Sequence, residues 1–217
     1  MRYRPVMRQR GAALAATLFL MLAVLMMSVS GTRASLAAVQ SARHERDRHI
    51  AHQAAQAALF DAERDIAGAA GPASPRTAIF VAANAAAFIA ACAGTAEFAG
   101  LCRLVAPPAT PAWQAADLAG TDAVPYGRFT GAAMPTGAAM PTGAGLLPAR
   151  APRYIVELLA PPGAAPTYRI TTIGFGASAT TRVVLQSYYR RATATTPARR
   201  LGWREVANWP ELHAASL

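Results

Sequence analysis

The sequence predicts an α+β protein: one long N-terminal helix, transmembrane in its first half and amphipathic in its second, packed on a small antiparallel β-sheet. Three observations point there. An uncharged run from Ala12 to Thr32 lies between Arg10 and Arg33. No proline interrupts the chain from Arg33 to Ala67. Towards the C-terminus the pattern changes to β-rich runs, Tyr154–Leu159, Thr167–Ile173 and Thr181–Arg190. Antiparallel strands that follow a single long helix bury their apolar side against its amphipathic half.

Residues 1–11 form a basic leader carrying Arg2, Arg4, Arg8 and Arg10. The run 12–32 that follows is 21 residues long. As a helix it extends about 31 Å, enough to cross a bilayer core. A secretory signal has a shorter apolar core with a small-x-small cleavage site after it. Here the junction Arg10-Gly11-Ala12 precedes the run, so a cut there leaves the segment on the mature protein. The leader arginines place the N-terminus in the cytoplasm and the remainder outside.

Residues 33–68 continue the helix in amphipathic form. They are rich in Ala, Gln, Glu and Arg, all good helix formers. Arg43 with Asp47, and Glu45 with His49, stand at i,i+4 and support it mildly. Ala51, Ala55, Ala58, Leu59, Ala62 and Ile66 share one face, with Asp61, Arg64 and Asp65 expected mostly off it. Gly68, Gly71, Pro72 and Pro75 end the helix, which from Ala12 to about Ala67 would measure roughly 80 Å.

Residues 69–150 read as a variable region. Thr77–Ala91 is helical in part, and Pro107–Pro148 is rich in Pro, Gly and Ala. It contains a direct repeat of GAAMPT, at Gly131–Thr136 and Gly137–Thr142, which reads as a slipped duplication in a flexible surface loop. Cys92 and Cys102 bracket a nine-residue loop, AGTAEFAGL. With an export segment upstream, a disulfide fits an oxidising compartment, and two free buried thiols are the alternative. Two cysteines with no histidine nearby do not make a zinc tetrad. Residues 151–217 hold the sheet, with breaks at Pro161-Pro162-Gly163 and at GFGASAT (174–180), and a fourth strand at Trp203–Val206.

The net charge of +10 raises nucleic acid as a partner. All the basic residues are arginines, four of them sit in the leader, and without the leader +10 falls to +6. The remainder are scattered, and no nucleic acid is expected. Tyr188 and Tyr189 with Arg190 and Arg191 fit a strand with one face in a core better than a nucleic-acid surface. Glu45, His49 and His52 stand on one helical side, where a solvated charged face is the plainer reading than a metal site. Ser28 and Ser30 suit helix packing rather than nucleophilic chemistry. GFGAS is followed by a strand, not a helix, so it is no dinucleotide loop. No triad or carboxylate pair appears. The chain reads as a non-enzyme, with no cofactor and no metal.

Three separated segments, in order, carry a resemblance to a known family. Arg8-Gln9-Arg10-Gly11-Ala12-Ala13-Leu14 stands at the leader junction. Glu45-Arg46-Asp47-Arg48 with Gln53-Ala54-Ala55-Gln56-Ala57-Ala58-Leu59 follows. Tyr168-Arg169-Ile170-Thr171, Gly174-Phe175-Gly176 and Val183–Arg190 close the series. The layout resembles type IV pilins, and these segments resemble the PilX-type minor pilins. The middle of the chain is left unmatched.

The resemblance implies that a membrane-embedded prepilin peptidase cuts between Gly11 and Ala12 and methylates Ala12. It implies partners in the other minor pilins, the large tip adhesin, the inner-membrane assembly machinery and membrane lipid. The expected location is the bacterial inner membrane with the C-terminal domain in the periplasm, then the pilus tip at the cell surface. One departure stands out. Major pilins carry Glu at the fifth mature position, and the corresponding residue here is Ala16. A subunit without that carboxylate cannot make the usual contact to the subunit above, which fits a priming or capping role. K-type pseudopilins of type II secretion share the lack, though they are usually longer. A single-span envelope protein that is never cut is a further alternative.

Overall fold

The computed structural model describes residues 12–139, 146–159 and 165–216. The chain divides into two compact units, Met1–Glu45 and Arg46–Leu217. Helix α1 (Ala12–Ala67) is 56 residues long and runs through both. Its end matches the glycine and proline stop: Gly68 takes a positive φ of 104° and its N–H bonds back to Arg64 and Asp65 carbonyls.

In the second unit α1 buries the stripe its periodicity predicts. Ala51, Ala55, Ala58, Leu59, Ala62 and Ile66 are all buried. Against them lies a six-stranded sheet in the order β1-β3-β4-β5-β6, with β2 also pairing β3. The strands are β1 (Leu101–Cys102), β2 (Val124–Pro125), β3 (Arg153–Leu158), β4 (Thr167–Phe175), β5 (Arg182–Arg190) and β6 (Arg199–Glu205). The four long strands are antiparallel neighbours, as expected, although the fourth begins at Arg199 and ends at Glu205 rather than spanning Trp203–Val206. The short β1 adds a parallel pairing, Leu101 opposite Val156. Two residues carry no periodicity, so this pairing had no signal in the sequence. β4 also takes in Gly174 and Phe175, the start of the expected loop.

Alternation divides the sheet's side chains between two clusters. Tyr154, Val156, Tyr168, Ile170, Val183, Leu185 and Tyr189 face α1. Ile155, Ile173, Phe175 and Val184 face the other way, onto Cys92, Cys102, Trp113 of α3 (Ala112–Ala115) and Trp209 of α4 (Trp209–Ala214). The short α4 was not expected; Trp209 fastens it by donating its indole N–H to the Trp113 carbonyl at 3.2 Å. Tyr189 lies in the core and Tyr188 is half-buried on the opposite face, the arrangement of a strand with one face in the core.

Within 69–150, helix α2 (Pro75–Ala82) covers the first part of the stretch read as helical, and short 3-10 turns follow at Ala85–Ala87 and Ala90–Cys92. Cys92 and Cys102 are bonded, with S–S 2.06 Å. The bond ties the Ala90–Cys92 turn to β1, beside a parallel bridge between Ile89 and Cys102. The second copy of GAAMPT begins on the Gly137–Ala139 3-10 turn, and its other half, 140–142, lies outside the described residues.

Candidate assembly site

The first candidate is the apolar part of α1. From Ala13 to Glu45 every side chain that is described is exposed. Leu14, Phe19 and Met27 expose 70, 73 and 78 % of their surface, on all sides of the helix. No charged residue stands between Ala12 and Thr32. The hydroxyls of Thr17, Ser28, Thr32 and Ser35 donate to the carbonyls of Leu14, Val24, Ser28 and Gly31 at 2.8–3.0 Å. Those hydroxyls are satisfied within the helix, the condition that lipid imposes on polar groups. The segment is long and apolar enough to cross a membrane. Ala16 lies on it, exposed and without a carboxylate. Ala12 opens α1, and Gly11 lies outside the described residues.

The second unit holds α1 to the sheet with acidic side chains. Asp65 and Arg76 form a bridge of 2.8 Å, with side chains 0 and 1 % exposed. The Arg76 guanidinium also donates to the carbonyls of Glu97 (2.6 Å) and Ala99 (2.9 Å), and lies over the rings of Phe129 and Phe80. The Tyr154 hydroxyl donates to Asp65 at 2.9 Å. Burial raises the Asp65 carboxyl above its usual range, only partly offset by Arg76 and Tyr154. Burial first, then the Asp65 charge, pushes the Tyr154 phenol well above 10. Asp61 accepts from the Gly127 N–H at 2.7 Å and from the Thr130 hydroxyl. Asp47 accepts from the Ser178 N–H at 3.1 Å and from the Thr181 hydroxyl. On the back of the sheet, Arg169 grips the buried Glu157 with two bonds of 2.7 Å.

The expectation that Asp61 and Asp65 lie mostly off the buried face is therefore wrong: they are 2 and 0 % exposed. Asp61 stands three residues after Ala58 and Asp65 three after Ala62, so both fall on the buried stripe. That spacing was the legible signal. What hid it was the assumption that carboxylates point to water, which fails when a cation and a phenol are brought to meet them. His49 lies 3.0 Å from the Gln53 amide, and His52 packs edge-on to Trp203. Among the described residues no group of three or more His, Cys, Asp or Glu is placed to hold a metal ion.

This geometry gives an apolar helical segment that needs other apolar surface around it, and a head in which ion pairs and hydrogen bonds hold α1 to the sheet. Two family profiles match the chain: PilX N-terminal over residues 10–60, and type IV pilus assembly protein PilX C-term over residues 95–191. Together they cover about two thirds of it. The chain belongs to the PilX family of type IV pilus assembly proteins. No curated protein and no solved structure matches it significantly. In this PilX chain the N-terminal match takes in Arg10-Gly11-Ala12 and most of α1, whose apolar segment is long enough to cross a membrane. The C-terminal match runs from the turn before β1 to the end of β5. Asp61, Asp65 and Arg76 fall between the two matches, and β6 and α4 lie beyond them.

Proposed function

We propose that the chain is a minor pilin that primes or caps the type IV pilus. The observation that carries this reading is the segment after Gly11: an exposed, uncharged helix that lacks a carboxylate at Ala16. In the membrane the segment is an anchor. In a fibre, equivalent helices of several subunits bundle by the same apolar surfaces, since each is apolar on all sides. A subunit with Ala16 offers no charged partner for the N-terminal amine of a neighbour, which suits the first or last position better than the shaft.

On this reading the prepilin peptidase cleaves between Gly11 and Ala12 and methylates Ala12. The partners are the other minor pilins, the tip adhesin and the inner-membrane assembly machinery. The head lies in the periplasm before assembly and at the pilus tip afterwards. The protein acts as a structural component and as a substrate of the peptidase.

Intact-mass measurement on membrane-extracted protein tests the processing step. The expected species begins at a methylated Ala12 and disappears when the peptidase is deleted; protein that retains Met1 overturns the reading. Deletion of the gene is expected to reduce surface pili and twitching, and Gly11→Trp to reproduce the deletion. Normal piliation in both strains removes the priming role.

A further inference from the structure

β6 is the outermost strand of the sheet, paired with β5 on one side and with no strand on the other among the described residues. Such an edge leaves a row of backbone N–H and C=O groups open, and proteins usually guard it with charges or a bulge. β6 has both. Its register slips between Tyr188 and Tyr189, leaving Leu201 as the bulged residue, and it carries Arg199, Arg200 and Arg204. Yet guarding does not account for its apolar side chains. Leu201 and Trp203 are each 51 % exposed, and Phe60 on α1 is 58 % exposed.

The two faces of the edge differ. Trp203 pairs opposite Ser187, on the α1 side with Leu185 and Tyr189. There it meets His52, while the Arg200 guanidinium lies 4.7 Å over the Phe60 ring and bonds Glu63 at 2.6 Å. On the opposite face Arg199 pairs beside Arg190, and Arg204 beside Gln186. Arg204 donates to the Gln186 amide oxygen at 3.0 Å, and the Arg190 Nε is buried with no hydrogen-bond partner. Among the described residues the four salt bridges engage none of these three arginines. The edge thus shows Trp203 and Phe60 on one face, where the charges of Arg200 and Glu205 are paired with Glu63 and Arg48, and uncompensated positive charge on the other.

A second copy of this chain is the wrong occupant. The other end of the sheet is closed, because β1 is two residues long, fully buried and bridged to Ile89. Pairing β6 with β6 would set arginines against arginines, which repel. We propose that the open edge of β6 takes an extended segment of a different protein as an added strand, with alternating acidic and apolar residues. Alternation sends its carboxylates to Arg190, Arg199 and Arg204 on one face and its apolar side chains to Phe60 and Trp203 on the other. The inference goes beyond the priming or capping role and does not depend on it.

The test uses the full chain in detergent micelles and a synthetic peptide of about nine residues, alternating Glu and Val, long enough to span the strand. The peptide is expected to bind, to slow amide exchange across Arg199–Glu205, and to weaken with salt. Replacing Glu by Lys in the peptide, N-methylating its alternate amides, or the double change Arg199→Glu and Arg204→Glu in the protein should each weaken binding at least about tenfold. Trp203→Ala should do so without changing the circular dichroism of the fold. No binding at millimolar peptide, or equal binding by the N-methylated peptide, overturns strand addition. Preferential binding of oligothymidine at β6 overturns it in favour of nucleic acid.

Discussion

Arg76 has almost no exposed surface, yet each of its three guanidinium nitrogens donates a hydrogen bond within the head. Its pairing with Asp65 joins the end of α1 to α2, to the loop before β1 and, through Tyr154, to β3. Burial raises the Asp65 carboxyl in spite of Arg76, and a buried pair of this kind fixes geometry more reliably than it adds stability. Removing one partner strands the other. Arg76→Ala or Asp65→Ala should each cost about 3–5 kcal/mol in denaturant unfolding, whereas Asp65→Leu combined with Arg76→Met should recover most of that loss. A double variant no better than the singles would contradict the argument.

Tyr168 gives a pH test. Burial pushes its phenol up to about 12 from 10, and its hydroxyl donates to the Phe80 carbonyl at 3.1 Å. The folded value exceeds the unfolded one, so the neutral phenol's contribution is fully present below pH 10 and is lost as pH rises through about 12. Two units correspond to about 2–3 kcal/mol. Absorbance titration of the phenols should show late-titrating tyrosines, and Tyr168→Phe should remove one of them while Tyr154 remains, along with part of the alkaline loss of stability.

The element-scale contact between α1 and β4 depends on small residues. Ala51, Ala55, Ala58 and Ala62 let the helix lie close, and the Thr172 hydroxyl reaches the Ala55 carbonyl at 3.1 Å. Gly174 sits at the tightest point: a Cβ there would lie 2.1 Å from the Ala51 carbonyl oxygen and 2.4 Å from the Ala55 nitrogen. From the sequence, Gly174 looked like the first residue of a loop. In the structure it is the strand position over which the helix crosses. Gly174→Ala should destabilise the head by about 1–3 kcal/mol or more, read as a lower thermal midpoint. The disulfide acts on another element. It closes a loop with a sequence separation of 10, and Cys92→Ser with Cys102→Ser should cost about 2–4 kcal/mol. An unchanged denaturant midpoint in the double serine variant would show that β1 is held by packing alone.

For the whole molecule, the division at Glu45 separates two kinds of stability. The head has its own core, with α1 contributing from Ala51 onward. The apolar segment is exposed and draws its stability from surroundings other than that core. A chain that begins near Arg43 should therefore unfold cooperatively, with amide protection over β3–β5 matching that of full-length protein in detergent. Loss of that protection on truncation would mean that the anchor supports the head.

The sequence by itself determined the long helix and its stop, the uncharged segment, the buried alanine stripe, the four long strands and the cysteine loop. Each of these is written in local periodicity, polarity or spacing, which neighbouring residues settle among themselves. Only the tertiary structure decided that Asp61 and Asp65 turn inward, that Arg76 meets them, that β1 joins in parallel, and that β6 is left open. Those outcomes depend on groups tens of residues apart, such as Asp65 and Tyr154 or Phe60 and Arg200. A buried charge or an open edge is decided by what arrives to pair with it, and no local pattern encodes the arrival.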